Sequence, residues 1–93
     1  MKYYVYYLLS PVGENSMPIH GLVQITDRHE NEKHFPAIRR KAYARMEYAR
    51  VLLPGEVQSF NLLYSPAENR EVTIMQLVED MGRFIHESLQ NNQ

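Results

Sequence analysis

Tyrosines Tyr3, Tyr4, Tyr6 and Tyr7 crowd the start of the chain, and their rings and hydroxyls are the first side chains with chemistry to offer. In a strand, neighbouring side chains point to opposite faces, so Tyr4 and Tyr6 share one face and Tyr3 and Tyr7 the other. On an open sheet face such a pair could stack nucleic-acid bases. It could equally meet a protein, or its own copy across a two-fold axis, because tyrosine gives a large contact area at low entropic cost. The same residues also suit a central strand that buries its rings and keeps its hydroxyls at the rim.

Basic side chains form a second group. Arg39, Arg40, Lys41, Arg45 and Arg50 are opposed locally by a single acid, Glu47. Residues 28–50 hold seven basic and three acidic residues, whereas residues 54–93 hold two and six. The interleaved Tyr43 and Tyr48 invite a nucleic-acid reading of this stretch. At about 100° per residue, however, a helix here places Arg39 and Arg50 on one flank, Lys41 and Arg45 on the other, and Arg40 nearly opposite the core. Split flanks suit long side chains rimming a buried stripe. The polarity would also let a positive middle meet a negative end in an oligomer, or steer a charged partner.

Catalytic chemistry finds little support. His20, His29 and His34 lie near Asp27, Glu30 and Glu32, but no paired-histidine metal spacing occurs. No serine sits in a nucleophile elbow. The four glycines, at 13, 21, 55 and 82, make no phosphate-binding loop. There is no cysteine, which removes disulfides, thiolate metal sites and thiol nucleophiles. No catalytic residue, cofactor or metal ligand is assigned.

Composition sets the broader frame. Ninety-three residues suit a single domain over 1–93. A net charge of −1 creates no general field for nucleic acid or an anionic membrane. No apolar run reaches the roughly 20 residues needed to span a bilayer, and the N-terminus has no leader pattern. The expectation is a cytoplasmic protein without membrane contact.

The elements that must position these residues follow from periodicity. Lys2 to Leu9 reads as a strand, then a loop rich in proline, glycine and asparagine over 10–18, then a second strand over 21–26. The two strands would form a long-looped hairpin. Phe35, Ile38, Ala42, Met46, Ala49 and Leu53 follow helical spacing, predicting a helix over 35–53 that stops at Pro54-Gly55. Residues 57–64 alternate as a half-buried strand. The last helix has two possible starts, at Pro66 after Ser65 or at Ile74 after Thr73, each matching a capping box. Thr73 is preferred, with 65–71 as a lead-in and 90–93 frayed.

The result is an α+β fold of order β-β-α-β-α. It is a small two-layer sandwich, with two amphipathic helices on one face of a three-stranded, mainly antiparallel sheet. Its predicted core is Val5, Tyr7, Ile38, Ala42, Met46, Phe60, Leu62, Ile74, Val78, Met81 and Ile85. The opening Tyr3-Tyr4-Val5-Tyr6-Tyr7-Leu8-Leu9, followed by 21–27 and a basic stretch, resembles the start of GIY-YIG nuclease domains. The glycine-isoleucine-tyrosine triplet and the second motif's tyrosine are absent, so no catalytic residue is carried over. The functional expectation is a small non-catalytic module that binds a protein partner, as regulators, immunity proteins and phage-type inhibitors do, and that forms a homo-oligomer. The alternative is a nucleic-acid binder. Both would use a surface of Tyr3, Tyr4, Tyr6, Arg39, Arg40, Lys41, Tyr43, Arg45 and Tyr48.

Overall fold

A computed structural model describes residues 1–27 and 42–91, the last eight of these in backbone only. Its elements run β1 (Lys2–Leu8), β2 (Leu22–Asp27), β3 (Ala44–Tyr48), α1 (Pro54–Ser59), β4 (Leu62–Tyr64), β5 (Arg70–Glu71) and α2 (Ile74–Asn91). The α+β class stands, with an antiparallel sheet, but the sheet has five strands rather than three.

β1 lies in the middle. It pairs with β3 along one edge, from Tyr4 opposite Tyr48 to Leu8 opposite Ala44. Its other edge is shared by β4, which pairs with Tyr6–Leu8, and β5, which pairs with Lys2 and Tyr3. Between these two, Val5 would lose its ladder partner. Asn69 replaces it, its Oδ1 accepting the Val5 amide at 3.0 Å, while the Val5 carbonyl accepts the Ser65 amide at 2.9 Å. β2 pairs with β3 and not with β1, so the expected hairpin is not formed.

The largest correction concerns the helix expected over 35–53. Residues 35–41 lie outside the described residues, but 44–48 form a strand and 51–53 are not helical, with Leu53 in extended backbone. Alternation explains the outcome. Ala44, Met46 and Tyr48 are fully buried in the cluster of Tyr6 and Leu8, while Arg45 and Glu47 take the opposite face. Ala42 and Met46, which helical spacing would place on one stripe, fall in different core clusters. Pro54-Gly55 starts a helix instead of ending one, because proline fits the first turn, where its missing N–H is no loss. The strand expected over 57–64 therefore shrinks to Leu62–Tyr64. Asn61, in left-handed backbone with φ 56°, makes the turn out of α1.

The helices also lie on opposite faces. Val57 and Phe60 bring α1 against the Tyr6, Leu8, Met46 and Tyr48 cluster. α2 reaches Tyr3, on the face of Val5 and Tyr7. The lead-in before α2 is a 3-10 turn over Pro66–Glu68. Thr73 then caps α2, its Oγ1 accepting the Gln76 amide at 3.0 Å. Of the predicted core, Val5, Tyr7, Ala42, Met46 and Leu62 are buried and Phe60 is half-buried, but Ile74, Val78 and Met81 are exposed. Ile38 and the Ile85 side chain lie outside the description.

Candidate interaction surface

The alternation of β1 distributes its tyrosines between two interiors. Tyr6 meets Tyr48 edge-on at 5.7 Å and stacks on Tyr64 at 4.7 Å between ring centroids. Its hydroxyl accepts the Leu52 amide at 3.0 Å. Tyr48 donates its hydroxyl to the Pro18 carbonyl at 2.7 Å, pinning the 10–21 loop to the end of β3. Burial pushes the Tyr6 and Tyr48 hydroxyls above their ordinary pKa. An open pocket of about 450 Å³ lies beside the stacked Tyr6 and Tyr64, between α1 and β4, with Val51, Leu52, Pro54 and Val57 among its lining residues.

The other face carries a polar network. Tyr7 donates its hydroxyl to Glu68 at 2.8 Å, and Ser65 donates to the same carboxylate at 2.7 Å. Arg45 spans Glu68 at 3.4 Å and Glu47 at 3.8 Å. Glu47, only 3% exposed, also receives Arg70 at 2.9 Å. The Arg70 guanidinium lies 5.1 Å over the Tyr3 ring. Tyr3 in turn donates to Asp80 at 2.7 Å. Burial, then the Asp80 hydrogen bond and charge, raise the Tyr3 pKa far above its ordinary value. A hydroxyl so held stays protonated and is a poor nucleophile or base near neutrality. The network satisfies its own charges and ties β3, β5 and α2 to β1.

The residues expected to form one surface are therefore dispersed. Tyr3, Tyr6 and Tyr48 are buried, and Tyr4 is half-buried against the Tyr6 cluster. Arg45 is half-buried in its ion pairs. Tyr43, 46% exposed, is the most accessible of the described set. Arg39, Arg40 and Lys41 lie outside the described residues, as do His29 and His34. Among the described residues no three His, Asp or Glu side chains converge as a metal site.

A different surface emerges on α2. Ile74, Met75 and Val78 are 68%, 75% and 64% exposed, while Asp80 on the same helix is buried. Helix residues three and four apart are neighbours, so Ile74, Val78 and Met81 form one outward apolar stripe, with Met75 and Gly82 along its margin. A Cβ added at Gly82 would meet nothing within 4 Å. Nothing in the described chain requires a glycine there, although glycine inside a helix costs about 1 kcal/mol relative to alanine. The stripe was legible in the sequence, but its outward orientation was not. Among the described residues no helix is long and apolar enough to cross a membrane. No family model, curated protein or solved structure matches the chain.

Proposed function

We propose that this protein is a small non-catalytic binding module that works through protein contacts and self-associates, with the outward face of α2 as its contact surface. The observation that carries the reading is the exposure of Ile74, Met75 and Val78 on a helix that turns Asp80 and Gln76 inward. Contiguous apolar surface of this kind on a soluble domain marks an interaction site, since covering it removes an unfavourable exposure to water. Gly82 beside the stripe lets a second helix approach closely.

Light scattering over a concentration series tests it, with Val78→Asp as the variant. Wild type should be dimeric or larger, and Val78→Asp monomeric with an unchanged far-ultraviolet spectrum. A wild-type protein that stays monomeric throughout the series overturns self-association. Binding of nucleic acid that weakens steeply with added salt would support the electrostatic alternative instead.

A further inference from the structure

We infer that the pocket between α1 and β4 is a binding site for a neutral, ring-bearing small molecule that offers a hydrogen-bond acceptor to Tyr6. The site lies on the α1 side of the sheet, the face opposite α2, and does not depend on the contact surface assigned to that helix.

Size and charge set the class of ligand. The volume of about 450 Å³ falls within the range of about 300–1,000 Å³ usual for small-molecule sites. The lining includes the aliphatic Val51, Leu52 and Val57 and the aromatic Tyr6 and Tyr64, with no charged side chain among the described residues. The adjacent Arg50 and Glu56 satisfy each other through two contacts of 2.8 and 2.7 Å. An ion entering the pocket would lose hydration without gaining a counter-charge. A neutral ring instead displaces water from apolar walls and meets aromatic neighbours.

One polar group sets the orientation. Tyr6 is 1% exposed and its hydroxyl accepts the Leu52 amide at 3.0 Å, yet among the described residues its own proton has no acceptor. A buried donor left without a partner carries a desolvation cost, which an acceptor reaching it would remove. Tyr6 and Leu52 both line the pocket, so a ligand seated there can bring an oxygen or ring nitrogen to that hydroxyl. The walls are fixed by the fold itself. Tyr64 stacks on Tyr6 at 4.7 Å and accepts the Asn69 side-chain amide at 2.7 Å, and Glu56 accepts the Leu53 amide at 2.9 Å. A preformed site loses little binding energy to the ordering of side chains.

Nuclear magnetic resonance titration tests the site with three probes built on one ring: acetophenone, which adds a carbonyl, toluene, which has none, and benzoate, which is charged. Acetophenone should shift the Leu52, Val57 and Tyr64 amides saturably. Toluene should bind more weakly, and benzoate should leave the same amides unmoved. Tyr6→Phe should weaken acetophenone binding about three- to tenfold, the effect of one hydrogen bond, and leave toluene unchanged. That variant also takes the acceptor from the Leu52 amide, so Val51→Asp serves as the second. At a position 54% exposed, it should keep the wild-type urea midpoint while its charge in the lining abolishes saturation by both neutral probes. No saturable shift with acetophenone, or a loss in Tyr6→Phe that toluene shares, overturns the site. Shifts of these amides that grow with protein concentration alone would place a second copy in the pocket and overturn it equally.

Discussion

Arg50 and Glu56 form a two-pronged ion pair across the junction of β3 and α1, with Nη1–Oε1 at 2.8 Å and Nη2–Oε2 at 2.7 Å. Glu56 also accepts the Leu53 amide at 2.9 Å, capping α1 from its third position. Arg50 donates its Nε to the His20 carbonyl at 2.8 Å, so one side chain joins the loop before β2 to the helix after β3.

An acid-range prediction follows from that pair. The Arg50 guanidinium, and then the Leu53 amide, hold the Glu56 carboxyl down to about 2. Because the folded form binds this proton less readily than the unfolded chain, the contribution is present above the ordinary carboxyl range. It is lost as the pH falls from about 4.5 to about 2. Urea midpoints should decline through that window in wild type and decline less in Glu56→Gln. An identical slope in both proteins would show that the pair contributes nothing to acid stability.

The opposite face yields a prediction about buried charge. Glu47 is 3% exposed and leans on Arg70 at 2.9 Å and Arg45 at 3.8 Å. Removing one partner of a buried charge pair costs more than the pair contributes, because the remaining charge stays desolvated. Arg70 is itself half-exposed and Arg45 stays beside Glu47, so Arg70→Leu should lower stability by about 1 kcal/mol. The double change Arg70→Leu with Glu47→Leu should recover part of that loss. Denaturant titration of the four proteins gives the coupling directly, and an additive cycle would rule the pairing out.

The sequence carried β1 and the start of α2 clearly, because each signal there is local. Aromatic alternation marks the strand, and Thr73 three residues before Gln76 marks the cap. The middle of the chain is ambiguous for a physical reason. Ala42, Met46, Ala49 and Leu53 satisfy helical spacing, while Ala44, Met46 and Tyr48 satisfy alternation. What resolves the conflict is the partner strand β1, more than thirty residues earlier, which supplies ladder bonds and burial together. Pro54 is equally two-sided, since a proline can follow one helix or open the next. The polar network was illegible because Tyr3 and Asp80 are 77 residues apart. That same distance hid the outward turn of the α2 stripe.

A backbone prediction falls on Gly21. Its φ of +81° is a conformation that side-chain-bearing residues seldom adopt, and a Cβ there would stand 3.0 Å from Arg50 Cγ. Gly21→Ala should cost roughly 1–3 kcal/mol, through strain at 21 and displacement of Arg50 from His20 and Glu56. The acid-range slope assigned to Glu56 should shrink in the same variant, linking both effects to one side chain. Unchanged urea midpoints would contradict the strain.

The buried tyrosines make a prediction at the alkaline end. Burial raises the pKa of Tyr3, Tyr6 and Tyr48, and at Tyr3 the Asp80 carboxylate adds to the effect. These groups ionise less readily in the folded protein than in the unfolded chain. Their contribution to stability is therefore complete below about pH 10 and is lost as the pH rises above it. Ultraviolet titration of phenolate should show the rings of Tyr3, Tyr6 and Tyr48 ionising only as the fold opens. Tyr48→Phe should lose the bond to Pro18, at a net cost of about 1 kcal/mol near neutrality. It should also flatten the alkaline fall in stability, since one buried hydroxyl no longer drives unfolding. If Tyr3, Tyr6 and Tyr48 titrate before the circular dichroism of the sheet is lost, the burial of these three hydroxyls is wrong.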